Sequence, residues 1–446
     1  MYDSALNHQF LFNLFSREIN TLLKKYMFPF LSSNLLDRIT SFLKGDIVVF
    51  TRVHCIFFLI FFSSLSQAKP LVEVNNEFSA HVAQQLQKYS IPGAAYVIVK
   101  NNKIIALETF GYIDKEKSQP IDKNTIFRLA SVSKTFASTI TTMLAQEQVI
   151  NLSDPITKYV PHFSLAKKGA AEKIQLKHLL SHSSGLMPNA YDNLLHENWS
   201  MDKIIGRFNR IAPICQPEKC YGYQNILYGL LQPAIETSQN KSYSTLLEER
   251  IFKPLKMNDS SVGIEEFSQQ QNSAKPHVLR KTTLSKHKDK HGKKLKTYTW
   301  RKVNVEPDFY NVAPAAGVNS SISDLAQWLI ANLGHNPKVI SEKLIKEVTT
   351  PRVKTKRDLR RRFWREHLTD AHYGYGWRIY QLANTELIYH SGWVEGFRAD
   401  IGYSPNSGIG FAILFNAESN AINQISSHFW SQTHRQLSST KSIASL

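Results

Sequence analysis

Arg128-Leu-Ala-Ser-Val-Ser-Lys-Thr-Phe136, RLASVSKTF, places a serine three residues before a lysine at the entrance to a long apolar stretch. Residues i and i+3 share a helix face. A helix running from Ser131 to Gln146 therefore projects Ser131 and Lys134 to one side of its first turn. The positive end of the helix dipole favours an alkoxide there and disfavours an ammonium. A lysine amine, ordinarily at about 10.4, acts as a base only if burial or neighbouring cations lower it. The ordinary alternative is an N-cap serine beside an exposed lysine. Spacing alone does not decide, because S-x-x-K recurs at Ser41, Ser66, Ser164, Ser200, Ser238, Ser285 and Ser438.

Outward from this stretch the hydrophobic period changes. Phe78, Val82 and Leu86 recur at helical spacing in Phe78–Lys88. Ala94–Lys100 and Lys103–Phe110 read as strands joined by an Asn101-Asn102 hairpin turn. Residues 150–350 are mostly helical patterns and loops. Strands return at Glu386–His390, Arg398–Tyr403 and Gly410–Phe415, with a closing helix over Asn420–His434. Strands at both ends with helices between them predict an α/β fold: one antiparallel sheet flanked by helices, plus an all-helical insertion.

Two further places carry candidate chemistry. Tyr223-Gln-Asn225 sets a phenol and an amide just before an apolar helix. The phenol can relay a proton and the amide can hold a lysine or a substrate carbonyl; the plain alternative is a turn tyrosine and a capping asparagine. In His390-Ser-Gly392 a strand ends on a small residue, which lets a substrate backbone lie alongside it. His390 there supplies a donor or a positive charge for an anionic substrate group, unless it is an ordinary core or surface histidine.

The order S-x-x-K, Y-x-N, then a lysine- or histidine-x-glycine triplet resembles the serine penicillin-recognising superfamily, in particular class C β-lactamases and related D-alanyl-D-alanine peptidases. Class A enzymes differ at the second and third motifs, with S-D-N and K-T-G. Phe127–Lys134, Ile174–Leu186, Pro254–Met257 and Ala315–Gly317 resemble family segments in the same order, from about residue 75 to 420. The resemblance implies that Ser131 is the acylated nucleophile and Lys134 its general base or proton shuttle. It implies that Tyr223 protonates the leaving amine and Asn225 positions Lys134 and the substrate amide. His390, Ser391, Gly392 and Trp393 would line the substrate strand, the backbone N–H groups of Ser131 and Trp393 forming an oxyanion hole. Lysine is usual at position 390 in class C β-lactamases; histidine occurs in some of the peptidases and other family hydrolases. Arg398 is read as a surface salt-bridge partner or a ligand for a substrate carboxylate.

The whole chain fits an exported enzyme. It has 446 residues, 42% hydrophobic and 20% charged, a normal globular balance, and three cysteines, too few for a disulfide scaffold. Val53–Leu65 is apolar, too short for a membrane span, preceded by Arg52 and followed by Ser66-Gln-Ala68. This reads as a signal peptide over 53–68, cleaved after Ala68, and places the protein in the periplasm or outside the cell. Residues 1–52 form an extension upstream of it, which points to a translation start near Met27 or Val48. The hydrolase domain is expected over 69–435, its α/β part about 69–148 and 370–435 and its helical and loop part about 149–369, with 436–446 as a tail. In an oxidising compartment Cys215 and Cys220 either close a small loop or stay free. The formal net charge is +18, concentrated in Lys275–Lys302 and Arg352–Arg365. Such runs are commonly solvated loops; an anionic envelope surface or polymer is the expected partner, rather than nucleic acid. No cofactor or catalytic metal is expected: His178/His182 and His287/His291 lack the carboxylate of an H-E-x-x-H site. The substrates expected are β-lactams or D-alanyl peptides. An esterase on the same scaffold and an inactive cell-wall-binding protein are the alternatives.

Overall fold

The computed structural model describes residues 71–288, 294–383 and 385–444. The extension 1–52 and the signal segment 53–68 lie outside them.

The period-2 runs at the two ends of the chain pair with each other. β1 (Gly93–Lys100) and β2 (Lys103–Gly111) form a hairpin across Asn101-Asn102, with Asn101 left-handed at φ 54°. Six more strands complete an antiparallel sheet: β3 (Val353–Lys354), β4 (Leu368–Tyr373), β5 (Arg378–Leu382), β6 (Thr385–Val394), β7 (Phe397–Ser404) and β8 (Ile409–Phe415). Their spatial order is β2-β1-β8-β7-β6-β5-β4-β3. Phe415 of β8 lies opposite Ala94 on one side and Arg398 on the other, so the last strand is inserted between the first strand and the preceding one.

Alternation along the strands builds two cores. Tyr96, Ile98, Phe411, Ile413 and Tyr389 face one side, where α1 (Leu71–Lys88) lays Phe78, Val82 and Leu86 against them. Val97, Val99, Ala412, Leu414 and Ile401 face the other side, over α2 (Ser133–Gln146), α3 (Asn225–Gly229) and α4 (Ile322–Ile330). There Phe136 of α2 stacks on Trp328 of α4, ring centroids 4.1 Å apart. α5 (Ala421–Ala444) closes the first side, Phe429 stacking on Phe411 at 4.4 Å.

The middle of the chain departs from the expected all-helical insertion. Phe127–Arg128, Val318–Ser320 and Ser261–Val262 form a small three-stranded sheet. His277–Lys288 and Lys294–Lys302 form a long hairpin where a basic loop was expected. The main sheet also recruits β3 from before residue 370, and α5 runs past residue 435 into the expected tail.

α2 is the element that positions the chemistry. Twelve of its fourteen residues are buried, so it presents polar side chains to the interior on every side. The hydroxyls of Thr135, Ser138, Thr139 and Thr141 donate to carbonyls one turn back at 2.6–3.0 Å, which removes the cost of burying them. Ser133 Oγ accepts the Val318 N–H at 2.9 Å, tying the helix start to the small sheet.

Candidate active site

Ser131 lies in a 3₁₀ turn, Ala130–Val132, that leads directly into α2. Ala130 is held left-handed at φ 49°, an uncommon state for a residue with a Cβ and one that costs about 1–2 kcal/mol. β6 clamps this turn. A Cβ on Gly392 would stand 2.2 Å from the Leu129 carbonyl oxygen and 3.1 Å from the Ala130 Cβ, so only glycine lets the strand approach. The sequence reading assigned that space to substrate; the structure fills it with the nucleophile's own turn. The next residue, Trp393, thereby lies beside Ser131, and both line the same cleft.

Four of the expected residues converge. Lys134 Nζ is 3.2 Å from Ser131 Oγ, 2.7 Å from Asn225 Oδ1 and 2.9 Å from the Ala315 carbonyl oxygen. The Tyr223 hydroxyl donates to Ser131 Oγ at 2.9 Å. Lys134 is fully buried, and its Nζ lies 4.7 Å from the Tyr223 ring centroid and 5.3 Å from that of Tyr228. Burial drives its amine well below the ordinary lysine range; Asp192 opposes this and the Arg378 cation adds to it. An uncharged amine donates to Asn225 and Ala315 and offers its lone pair to the Ser131 proton. Burial pushes the Tyr223 phenol up to about 12, against the hydrogen bond to Ser131, so it is a proton carrier near neutral pH rather than a phenolate.

Several participants escaped the sequence reading. Asp192 accepts from Asn225 Nδ2 at 2.7 Å, which orients the amide so that its oxygen meets Lys134. His182, left-handed at φ 53° and buried, accepts the Gln224 N–H at 3.2 Å and packs its ring 4.2 Å from that of Tyr223. It thus fixes the backbone between Tyr223 and Asn225, the structural job of the Ile174–Leu186 segment. Tyr228 donates to the Lys134 carbonyl at 3.0 Å. The largely buried Arg378–Asp358 pair lines the same cleft, with Arg378 5.8 Å from the Tyr223 ring. Apart from His182, which lies in the recognised Ile174–Leu186 segment, none of these carries a local signal; each is a turn or core residue until the chain is folded. Ala315 lay in a recognised segment, but its carbonyl's role is visible only in three dimensions.

His390 requires correction. It is fully buried; its Nε2 meets the Tyr373 hydroxyl at 2.9 Å and its Nδ1 lies 3.0 Å from the Ser391 carbonyl oxygen. Burial, reinforced by the Arg378 cation, holds it well below the ordinary histidine range. It is neutral at pH 7 with both ring nitrogens engaged, so it offers neither positive charge nor a free donor to substrate. Ser391 and Trp393 do reach the cleft, Trp393 60% exposed. Beyond Arg378↔Tyr389 no β5 residue pairs with β6, so the 390–394 stretch has one open backbone edge. Arg398 makes no salt bridge among the described residues; it donates to Asn420 Oδ1 at 2.7 Å and stacks 4.9 Å over the Trp393 ring.

The cleft holds about 1280 Å³. Ser131, Tyr223 and Asn225 form its floor, and Arg352, Lys356, Arg357, Arg361 and Arg398 crowd its walls. The loop closed by the Cys215–Cys220 disulfide contributes Lys219 and Cys220 to the rim. Among the described residues no three His, Cys, Asp or Glu side chains are grouped to hold a metal ion.

Comparison with known proteins agrees with this architecture. The Beta-lactamase family model matches residues 78–426. "Protein flp" of Staphylococcus aureus (strain MRSA252) is 27% identical over 368 residues, covering 81% of this chain and 67% of that protein. "Beta-lactamase" of Escherichia coli (strain K12) is 26% identical over 280 residues, covering 62% and 65%. The octameric penicillin-binding protein homologue from Pyrococcus abyssi superposes with a TM-score of 0.66 at 24% identity, covering 80% of this chain and 77% of its own, a likeness of fold. The chain belongs to the beta-lactamase family, within the superfamily of serine β-lactamases and penicillin-binding proteins.

Proposed function

We propose that the protein is an exported serine hydrolase that forms an acyl-enzyme on Ser131 and cleaves the amide bond of β-lactams or D-alanyl peptides. The observation that carries this is the placement of Ser131 Oγ within hydrogen-bond reach of both a buried lysine amine and a phenol. Neutral Lys134 takes the Ser131 proton as Oγ attacks the carbonyl carbon. The N–H groups of Ser131 and Trp393 receive the oxyanion, and such a donor typically contributes about 10²–10³ in rate. The C–N bond breaks as Tyr223 gives its proton to the leaving nitrogen and regains one from the Lys134 ammonium. Water then hydrolyses the ester and returns Ser131 to its starting state.

Export is supported by the Cys215–Cys220 disulfide, a bond that persists in oxidising compartments. Affinity for an anionic substrate end is supported by the arginines of the cleft wall, which supply the charge that His390 does not. That same neutral His390 favours a second reading, an esterase that needs no cation at this point of the strand. An inactive binding protein would have no use for the coupled Ser131, Lys134 and Tyr223.

Incubation with a fluorescent penicillin, followed by intact mass over time, tests the proposal. An adduct that forms and decays marks a β-lactamase; a persistent one marks a penicillin-binding peptidase. Ester turnover without an adduct marks the esterase. Ser131→Ala abolishes the adduct or turnover in each active case. No adduct and no turnover of any acyl substrate overturns the enzymatic reading.

A further inference from the structure

More than half of the chain's net positive charge sits in one place. Residues 275–302 contain eleven Lys and Arg against the single acid Asp289, ten of the chain's eighteen excess positive charges. Among the described residues none of this charge lines the cleft. It is carried by the hairpin His277–Lys288 and Lys294–Lys302, whose base is tied to the body. The His277 N–H donates to the Gly396 carbonyl at 3.3 Å, and Arg280 and Lys302 pair with Glu395 and Glu116 at 3.4 and 3.6 Å. Lys281 and Arg301 are exposed and have no carboxylate partner among the described residues.

The hairpin is also apolar on the face that carries Lys281. Leu279 lies opposite Trp300 and Lys281 opposite Tyr298, so the four side chains share one face. Leu279 is 48% exposed and Tyr298 53%. The Trp300 indole N–H donates to the Tyr89 carbonyl at 3.0 Å, which sets that ring against the C-terminal end of α1. Tyr89 is itself exposed, with Lys88 Nζ 5.4 Å from its ring centroid. Three of the nine exposed large hydrophobics among the described residues therefore fall in one row, bordered by lysines.

We propose that this hairpin face docks on an anionic lipid surface. Basic residues are drawn to anionic headgroups, and tryptophan and tyrosine settle at the headgroup level. Cations alone would serve a soluble polyanion; the exposed leucine and ring row fit the boundary between headgroup and acyl chain. No helix among the described residues is long and apolar enough to cross a membrane, so the contact is peripheral. It would hold the hydrolase at the bilayer without occupying its cleft.

The full chain is tested by co-sedimentation with vesicles of phosphatidylcholine alone and of an equimolar phosphatidylcholine–phosphatidylglycerol mixture, at low and high salt. Expected is association with the mixed vesicles at low salt, weakened by about tenfold or more in Lys88→Glu/Lys281→Glu, whose cations border the ring row. Leu279→Ser/Tyr298→Ser also weakens it severalfold, with the near-ultraviolet circular dichroism of both variants unchanged. Equal association of wild type and both variants overturns the proposal. So does failure of the wild type to bind the mixed vesicles. Loss with the charge variant alone, together with tight binding of a single-stranded oligonucleotide or sulfated polysaccharide, makes the ligand a soluble polyanion and rejects the lipid surface.

Discussion

Gly392 and Asp192 show how the site depends on residues that never touch a reacting atom. A Cβ at position 392 has backbone, not a flexible side chain, as its nearest neighbour. Gly392→Ala must push β6 away from the Ser131 turn and separate the two N–H groups of the proposed oxyanion hole. Acylation is expected to slow roughly 10²-fold, the penalty for a misplacement of about 1 Å, while Lys134 and Tyr223 keep their contacts. Stopped-flow labelling by a fluorescent penicillin measures this, and an unchanged rate would remove Trp393 from the hole. Asp192 acts through charge and through Asn225. Its carboxylate favours the Lys134 ammonium, so Asp192→Asn lowers the lysine further and keeps the amine unprotonated at more acidic pH. The acid limb of the kcat/KM profile should move to lower pH. The plateau should fall about tenfold because Asn225 loses its charged orienting partner. An acid limb that moves upward would mean that Lys134 is not the group titrating.

At the scale of elements, legibility followed period. The end strands and α1 were readable because apolar residues cluster in short runs or recur every three to four positions. β4 and β5 escaped because Leu368–Tyr373 carries Thr369, Asp370 and His372, and the Gly374–Gly376 turn breaks the run. The His277–Lys302 hairpin escaped because its lysines mask the alternation. The site's nucleophile, base, phenol and amide were found by motif. The charge state of His390 was misread because it is decided by Tyr373 and Arg378, seventeen and twelve residues away. The disulfide loop joins local and distant effects. Cys215 packs its carbonyl against Gly185, and the loop leads through Tyr221 and Gly222 to Tyr223. Closing so short a loop contributes about 2 kcal/mol in the chain-entropy picture. A Cys215→Ser/Cys220→Ser variant should lose about that much stability in a denaturant titration. Its acylation rate should fall beyond any loss of folded protein, because the segment presenting Tyr223 is loosened. Equal rates per folded molecule would confine the bond to stability.

The whole molecule is held by its two ends. β8 supplies partners to β1 and β7 at once, and α5 covers the outer core that α1 begins. Some 320 residues separate Ala94 from its partner Phe415 on β8, so this contact closes late in synthesis and all the inserted elements depend on it. The insertion contributes α3, the Ala315 carbonyl and the Asp192 carboxylate to a site whose nucleophile hangs between β6 and α2. The catalytic constellation therefore exists only when the sheet is complete. The hairpin stands outside this dependence, since its base bonds are few and its exposed face buries little. Two deletions should then behave oppositely. Removing the chain from Ile409 onward strips β1 and β7 of their shared partner and bares Tyr96, Tyr389 and Phe78; we expect insoluble protein with no cooperative melt. Replacing residues 279–300 by a short Gly-Ser turn should leave a soluble protein with a cooperative melt and the Ser131 acylation rate of the intact chain. Circular dichroism melts and penicillin labelling of both variants decide the matter. A folded, acylating product of the first deletion would show that the insertion, not the shared sheet, assembles the site.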